Sequence, residues 1–250
     1  MLKRLTLAAT LTALPFCTLA TDFVEGKHFV QLTDKAPSKT PKLTEFFSFY
    51  CHNCFNMEVM YLPAIKQGLK DGISFDTKHV DFMNSEIGTE VMRSLAVIQA
   101  SDNSAELVHA MFGAIQGADG GQGHHDHSAH GHNHEPAIQT SADIKAVFAK
   151  HGIDAAAYDK LAYSADTDAK LALWRQQQQE FQVQSVPSFI VNDKYKVNLQ
   201  EIRTLEELSE LINYLATEKD TPQQEDKGGS LGWAFIGLLA LMAMGRRRLV

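Results

Sequence analysis

The chain has 250 residues, is 44% hydrophobic and 21% charged, and carries a formal net charge of −7. That length and apolar content suffice for one sizeable core, or for one core with an inserted subdomain. The acidic balance argues against nucleic acid as a partner.

The first twenty residues read as an export address. Lys3 and Arg4 give a positive start, residues 5–14 are apolar, and Pro15 breaks the run. Thr18-Leu19-Ala20 resembles a small-x-small cleavage site. The apolar stretch is too short to span a bilayer. Cys17 follows Phe16, where a lipoprotein signal needs a small residue, so no N-terminal lipidation is expected. Cleavage after Ala20 leaves Cys51 and Cys54 as the cysteines of the mature protein, in an oxidising compartment.

Residues 27–32 suit a first strand. Residues 43–50 suit a stronger one, rich in aromatics and bounded by Pro41. That strand runs into Cys51-His52-Asn53-Cys54 at the first turn of a helix. Phe55, Val59, Leu62, Ile65 and Leu69 recur near helical spacing, and Pro63 is expected to kink the helix. After Gly72, residues 73–80 alternate, with Ile73, Phe75 and Thr77 against Ser74 and Asp76. This is a βαβ unit.

Residues 84–181 change character and read as helical. Ser141 is expected to cap a helix that stops at His151-Gly152, Asp154 starts another, and residues 165–181 form a long one with Leu171, Leu173 and Trp174. Two strands, 188–191 and 195–197, flank the turn Asn192-Asp193-Lys194. The last helix has a capping box at Thr204 and Glu207 and an apolar stripe of Leu205, Leu208, Leu211, Ile212 and Leu215.

Residues 217–230 are polar, end in Gly-Gly-Ser, and read as a flexible linker. An apolar run of fifteen residues, 231–245, follows, and then Arg246-Arg247-Arg248. As a helix it is ~22 Å long at ~1.5 Å per residue, shorter than a hydrocarbon core of ~30 Å. The arginines favour a cytoplasmic end and an external domain. The arrangement resembles the Gly-Gly C-terminal sorting signals of some Gram-negative exported proteins, which a rhomboid-type intramembrane protease processes. The alternative is a plain short membrane anchor.

The chemistry points to Cys51 and Cys54. Sulfurs at this spacing close a small disulfide ring and open it again. The upstream sulfur sits at a helix N-terminus, where free N–H groups and the macrodipole favour a thiolate. A low-pKa thiolate is a good leaving group in exchange. A zinc site usually needs a second such pair, and the sequence has none. A structural bridge rarely spans two residues at the mouth of a strand.

From about residue 24 to 214 the chain resembles the DsbA family of periplasmic thiol:disulfide oxidoreductases. The resemblance is carried by Glu-Phe-Phe-Ser-Phe-Tyr-Cys51-x-x-Cys54, by His79-Val80-Asp81-Phe82-Met83, and by Ser185-Val186-Pro187-Ser188-Phe189-Ile190-Val191-Asn192. It implies an α/β thioredoxin fold with an inserted all-helical domain. The expected parts are a signal peptide (1–20), a first thioredoxin-like segment (21–83), a helical insertion (84–181) with a His-rich loop (118–135), a second thioredoxin-like segment (182–216), the linker (217–230) and the tail (231–250).

The resemblance also implies roles. Cys51 and Cys54 are the redox pair, and no bound organic cofactor is needed because their disulfide is the redox centre. Pro187 is the counterpart of the family's cis-proline, and the backbone of Val186 pairs with a substrate segment. Glu45 occupies the place of the family's buried acid, where it relays a proton for Cys54; without the resemblance, a strand glutamate reads as a surface residue. His52 and Asn53 tune the pair. Implied partners are reduced or unfolded exported proteins and a quinone-linked membrane oxidase resembling DsbB, with the tail touching the membrane before processing and no nucleic acid involved.

Three departures stand out. His52-Asn53 replaces a frequent Pro-His. Thr77 replaces a family lysine, with Lys78 next to it on the opposite face. Residues 118–135 insert six histidines, His124, His125, His127, His130, His132 and His134. Such tracts bind transition metals or form a plain solvated loop; no metal ligands are assigned. His28, His79, His109 and His151 read as structural, as do Met57, Met60 and Tyr61, with apolar surface beside the cysteines that grips unfolded substrate as the alternative for that cluster. The rival readings are a reductase or isomerase of the same fold, and an exported metal-binding module.

Overall fold

The sheet begins at β1 (Phe29–Gln31) and is built around β2 (Lys42–Phe47), in which every residue after Lys42 is buried. A strand covered on both faces reads as a continuous apolar run, not as an alternation. β3 (Ser74–His79), β4 (Ser188–Val191) and β5 (Tyr195–Val197) complete five strands in the order β1-β5-β4-β2-β3. Among these five strands β2 and β3 pair parallel and the other neighbours pair antiparallel. In this register Glu45 lies between Phe189 on β4 and Thr77 on β3. The computed structural model describes residues 22–34, 36–117 and 138–221. The export address, the His-rich loop and the apolar tail lie outside them. Residues 1–218 form one unit; of the second, 219–250, only Lys219, Asp220 and Thr221 are described.

The β4–β5 hairpin turns at Asn192 (φ 53°) and Asp193 (φ 55°). Two successive left-handed residues form a tight turn that the Lys194 N–H closes on the Val191 carbonyl (3.0 Å), and Asn and Asp tolerate that conformation. The Asn192 side chain also accepts from the Lys42 N–H (2.9 Å) and donates to the Leu215 and Ala216 carbonyls.

The helix after Cys51 is not continuous. It is α1 (His52–Asn56), a π-helical turn (Met57–Tyr61) and α2 (Leu62–Gly68). The disturbance falls on the turn before Pro63. Proline lacks an N–H, and its ring crowds the carbonyl four residues back; a local widening to i→i+5 bonding relieves it. Met57 packs into the core, whereas Met60 (61% exposed) and Tyr61 are exposed, so the structural role expected of all three holds for Met57 alone.

Among the described residues, five helices lie between β3 and β4. They are α3 (Glu86–Gln99), α4 (Ser104–Gln116), α5 (Ser141–Lys150), α6 (Ala155–Ala162) and α7 (Ala165–Glu180). The cap of α5 is Thr140, not Ser141: Thr140 is extended (φ −136°, ψ 163°), and it exchanges backbone and side-chain bonds with Asp143. Asp154 caps α6 as expected. The final helix α8 (Leu205–Thr217) is capped by Thr204, while the Glu207 carboxylate accepts from the Arg203 N–H (2.8 Å), one residue earlier than a capping box has it. Leu208, Leu211, Ile212 and Leu215 face the sheet and α2, and Leu205 stays exposed. Each such aliphatic side chain contributes about 1.5–3 kcal/mol on burial. Gly68 lets α2 approach α8, because a Cβ there would stand 2.6 Å from Ser209 Oγ.

Candidate active site

Strand β2 stops at Phe47 rather than reaching Tyr50. The Val80 N–H closes the ladder on the Phe47 carbonyl (2.8 Å), and the Cys51 N–H then turns back to the Ser48 carbonyl (3.0 Å). The Phe49 N–H is taken by His79 Nε2 (3.0 Å) instead of by a strand. This turn delivers Cys51 to the N-cap of α1, in an extended conformation with its Sγ accepting from the Cys54 N–H at 3.3 Å.

The two sulfurs are free thiols in unlike surroundings. Cys51 is half-buried and Cys54 is 1% exposed. The Cys51 thiol is lowered to about 6, chiefly by the Cys54 side-chain hydrogen bond. Burial opposes this, and the Cys54 and Asn53 backbone N–H groups and the charge of His52 add to it. The Cys54 thiol is pushed up, first by burial and next by its bond to Cys51, with the Ser48 N–H working the other way. Asn53 therefore acts through its backbone, and its side chain is exposed. The charge of His52 is the smallest of these contributions. Replacing His52 by Ala should raise the Cys51 pKa by a fraction of a unit, less than Cys54→Ala does. Thiolate absorbance titrations of the two variants check the ranking.

The Val186–Pro187 bond is cis, and both residues are half-buried. The Cys51 thiol donates to the Val186 carbonyl (3.3 Å). The sequence resemblance pairs that backbone with substrate; the structure adds its direct contact with the sulfur.

Glu45 is 2% exposed, and its carboxyl is raised well above the usual range by burial first, then by Glu58; Lys66 acts against this. Thr77 stands opposite Glu45 on β3. Lys78 points to the other face, where it is buried, bonds Gln177 and is pushed down by burial. The cation that bears on Glu45 thus comes from α2, where Lys66 Nζ also lies 4.4 Å from the Phe75 ring centroid. Of the other histidines, His28 accepts from the Val24 N–H and His151 pairs with Glu106. An apolar recess of about 500 Å³ opens beside the turn, lined by Ser48, Tyr50, Val80, Phe82, Met83 and Ile138 among others. Among the described residues, no three His, Cys, Asp or Glu side chains could hold a metal ion, and no helix is long and apolar enough to cross a membrane.

Residues 42–210 match the family model of the DSBA-like thioredoxin domain. The chain belongs to that family. It is similar to the thiol:disulfide interchange protein DsbA of Pectobacterium carotovorum subsp. carotovorum, 28% identical over 226 residues that cover 87% of this chain and 100% of the relative. The DsbA of Yersinia pestis is 27% identical over the same coverage. Among solved structures, DsbA from Klebsiella pneumoniae superposes with a TM-score of 0.65 at 25% identity, covering 79% of this chain and 99% of that one. The Proteus mirabilis disulfide oxidoreductase DsbA gives 0.64 at 25%, covering 78% and 97%. As a member of the DSBA-like family, the chain is a thiol:disulfide oxidoreductase that introduces disulfide bonds, on a thioredoxin fold with a helical insertion.

Proposed function

We propose that Cys51 is the exchanging sulfur and Cys54 the resolving one, acting on reduced exported proteins in the periplasm. The observation that carries this is the inequality of the sulfurs. Cys51 is half-buried with its thiol lowered to about 6, and Cys54 is buried with its thiol raised. A substrate thiolate attacks Cys51 Sγ of the oxidised enzyme. A substrate–Cys51 bond forms, the Cys51–Cys54 bond breaks, and Cys54 leaves with a proton supplied by Glu45. A second substrate thiolate attacks the substrate sulfur of that mixed disulfide, and Cys51 leaves as a stabilised thiolate. The substrate gains a disulfide, and the enzyme holds the two electrons.

The half-buried Val186–Pro187 edge supports strand-like pairing with substrate, and the apolar recess suits an unfolded chain. His52 and Asn53 tune the pair, one by charge and one by its N–H. A quinone-linked membrane oxidase resembling DsbB would reoxidise the dithiol, with the apolar tail holding the protein at the inner membrane until it is processed. The redox centre is the disulfide itself.

Equilibration of the Cys51–Cys54 pair with glutathione tests the direction of the reaction. A stabilised thiolate favours the reduced form and makes the disulfide oxidising. DsbA lies near −120 mV and thioredoxin near −270 mV, and the expected value falls between them. A potential at or below that of thioredoxin would show a reductase instead.

A further inference from the structure

Phe49, two residues before Cys51, is fully buried, and both of its backbone polar groups are bonded by side chains from elsewhere in the fold. Its N–H donates to His79 Nε2 (3.0 Å), at the end of β3. Its carbonyl accepts from Gln116 Nε2 (2.6 Å), at the end of α4 in the helical insertion. Buried backbone groups must be bonded somewhere, and a turn outside the sheet has no ladder to supply the partners.

His79 does more than fill space. Its ring lies against Phe49 (centroids 5.4 Å) and Phe47 (5.6 Å), and its Nε2 is also 3.4 Å from Ser48 Oγ, which accepts from the Tyr50 N–H. Because Nε2 accepts, the ring proton belongs on Nδ1, and that buried atom has no hydrogen-bond partner among the described residues. Burial pushes the His79 pKa down to about 3, so the ring stays neutral and the acceptor persists at working pH. The clamped turn serves both sulfurs. Its Ser48 N–H bonds Cys54, and its last residue is Cys51.

We propose that His79 and Gln116 are positioning residues. They bond the Phe49 N–H and carbonyl, one from the end of β3 and one from the end of α4, and hold Cys51 Sγ where the α1 N–H groups stabilise its thiolate. The proposal rests on Cys51 being the exchanging sulfur. Released from either grip, the turn can carry Sγ away from the Cys54 N–H, now 3.3 Å distant, and the stabilisation falls.

The test is a thiolate absorbance titration of the reduced protein, with glutathione equilibration and a melting curve, on wild type, Gln116→Met, His79→Leu and His79→Gln. Gln116→Met keeps the length of the side chain and removes the donor. His79→Gln keeps an acceptor close to the position of Nε2. We expect Gln116→Met and His79→Leu each to raise the Cys51 pKa by about one unit, and to move the glutathione equilibrium toward the protein disulfide by about five- to tenfold near neutral pH. His79→Gln should titrate like wild type. A merely structural role would lower the melting temperature and leave the titration in place. A wild-type titration in folded Gln116→Met overturns the proposal, and this variant decides alone if His79→Leu does not fold. A His79→Gln protein displaced as far as His79→Leu overturns the His79 arm, because packing would then be the cause. Failure of the underlying assignment is separable: it would appear as exchange surviving in Cys51→Ser.

Discussion

A Cys54→Ser protein is expected to accumulate as a mixed disulfide with its partners and to lose turnover to background. Its Cys51 thiolate still attacks a disulfide, bonding one sulfur and releasing the other as a thiolate. No second thiol then stands beside Cys51 to resolve the adduct. The serine hydroxyl keeps a donor where the Cys54 thiol supplies the largest stabilisation of Cys51, so the attacking thiolate persists. Cys54→Ala removes that donor, and its Cys51 should titrate closer to a free cysteine, at ~8.5. Cys51→Ser should form no adduct, because Cys54 is 1% exposed and its thiol is raised. Adducts on non-reducing gels, with their masses, and steady-state oxidation of a dithiol peptide measure all three. Undiminished turnover in Cys54→Ser would remove the resolving role from that residue.

The second large effect is expected of Glu45→Gln, and it has two signs. The folded carboxyl titrates above its unfolded value of 4.5, chiefly because burial penalises the charge. Its contribution to stability is therefore full below pH 4.5 and is lost as pH rises through the folded value. At pH 7–8 the wild type carries that penalty and a neutral amide does not. Glu45→Gln should be more stable there by about 1–3 kcal/mol, because the unfolded chain ionises freely while the folded site must either bury the charge or hold the proton. At roughly 2–4 °C per kcal/mol for a chain of this size, the gain is several degrees in Tm, and it should vanish toward pH 4. The same variant should oxidise substrate more slowly, because the amide cannot hand a proton to the departing Cys54 thiolate. Melting curves from pH 4 to 8, run beside single-turnover oxidation, test both halves. Equal stability at pH 8 would mean that the folded Glu45 carboxyl does not titrate above its unfolded value, because a carboxyl kept protonated by the fold at that pH would make the gain larger. Unchanged turnover would mean that solvent, not Glu45, supplies the proton.

Much of the fold is written locally. The β4–β5 hairpin, the Asp154 cap, the α8 stripe and the strand entering Cys51-x-x-Cys54 follow from turn chemistry, helix caps and two short periodicities. These involve neighbours within a few residues, so the chain states them directly. The spacing of the cysteines likewise points to redox chemistry before any coordinates exist. Boundaries slip where a neighbour competes, as with Thr140 over Ser141, or where a distant side chain takes a backbone bond, as His79 ends β2 at Phe47.

Tertiary structure decided what surrounds the sulfurs. Val186 meets Cys51 across 135 residues, and Gln116 meets Phe49 across 67. No local pattern encodes such pairs. Glu45 lies in a run whose apolar neighbours fit a strand covered on one face or on two. Only packing by α2 and the flanking strands makes it a buried acid, with Lys66 rather than a β3 lysine as the cation bearing on it. The sequence by itself singled out Cys51 and Cys54 as the candidate redox pair. The tertiary fold decided how far each is removed from water and which donors face it, because desolvation and hydrogen bonding depend on what the rest of the chain brings alongside.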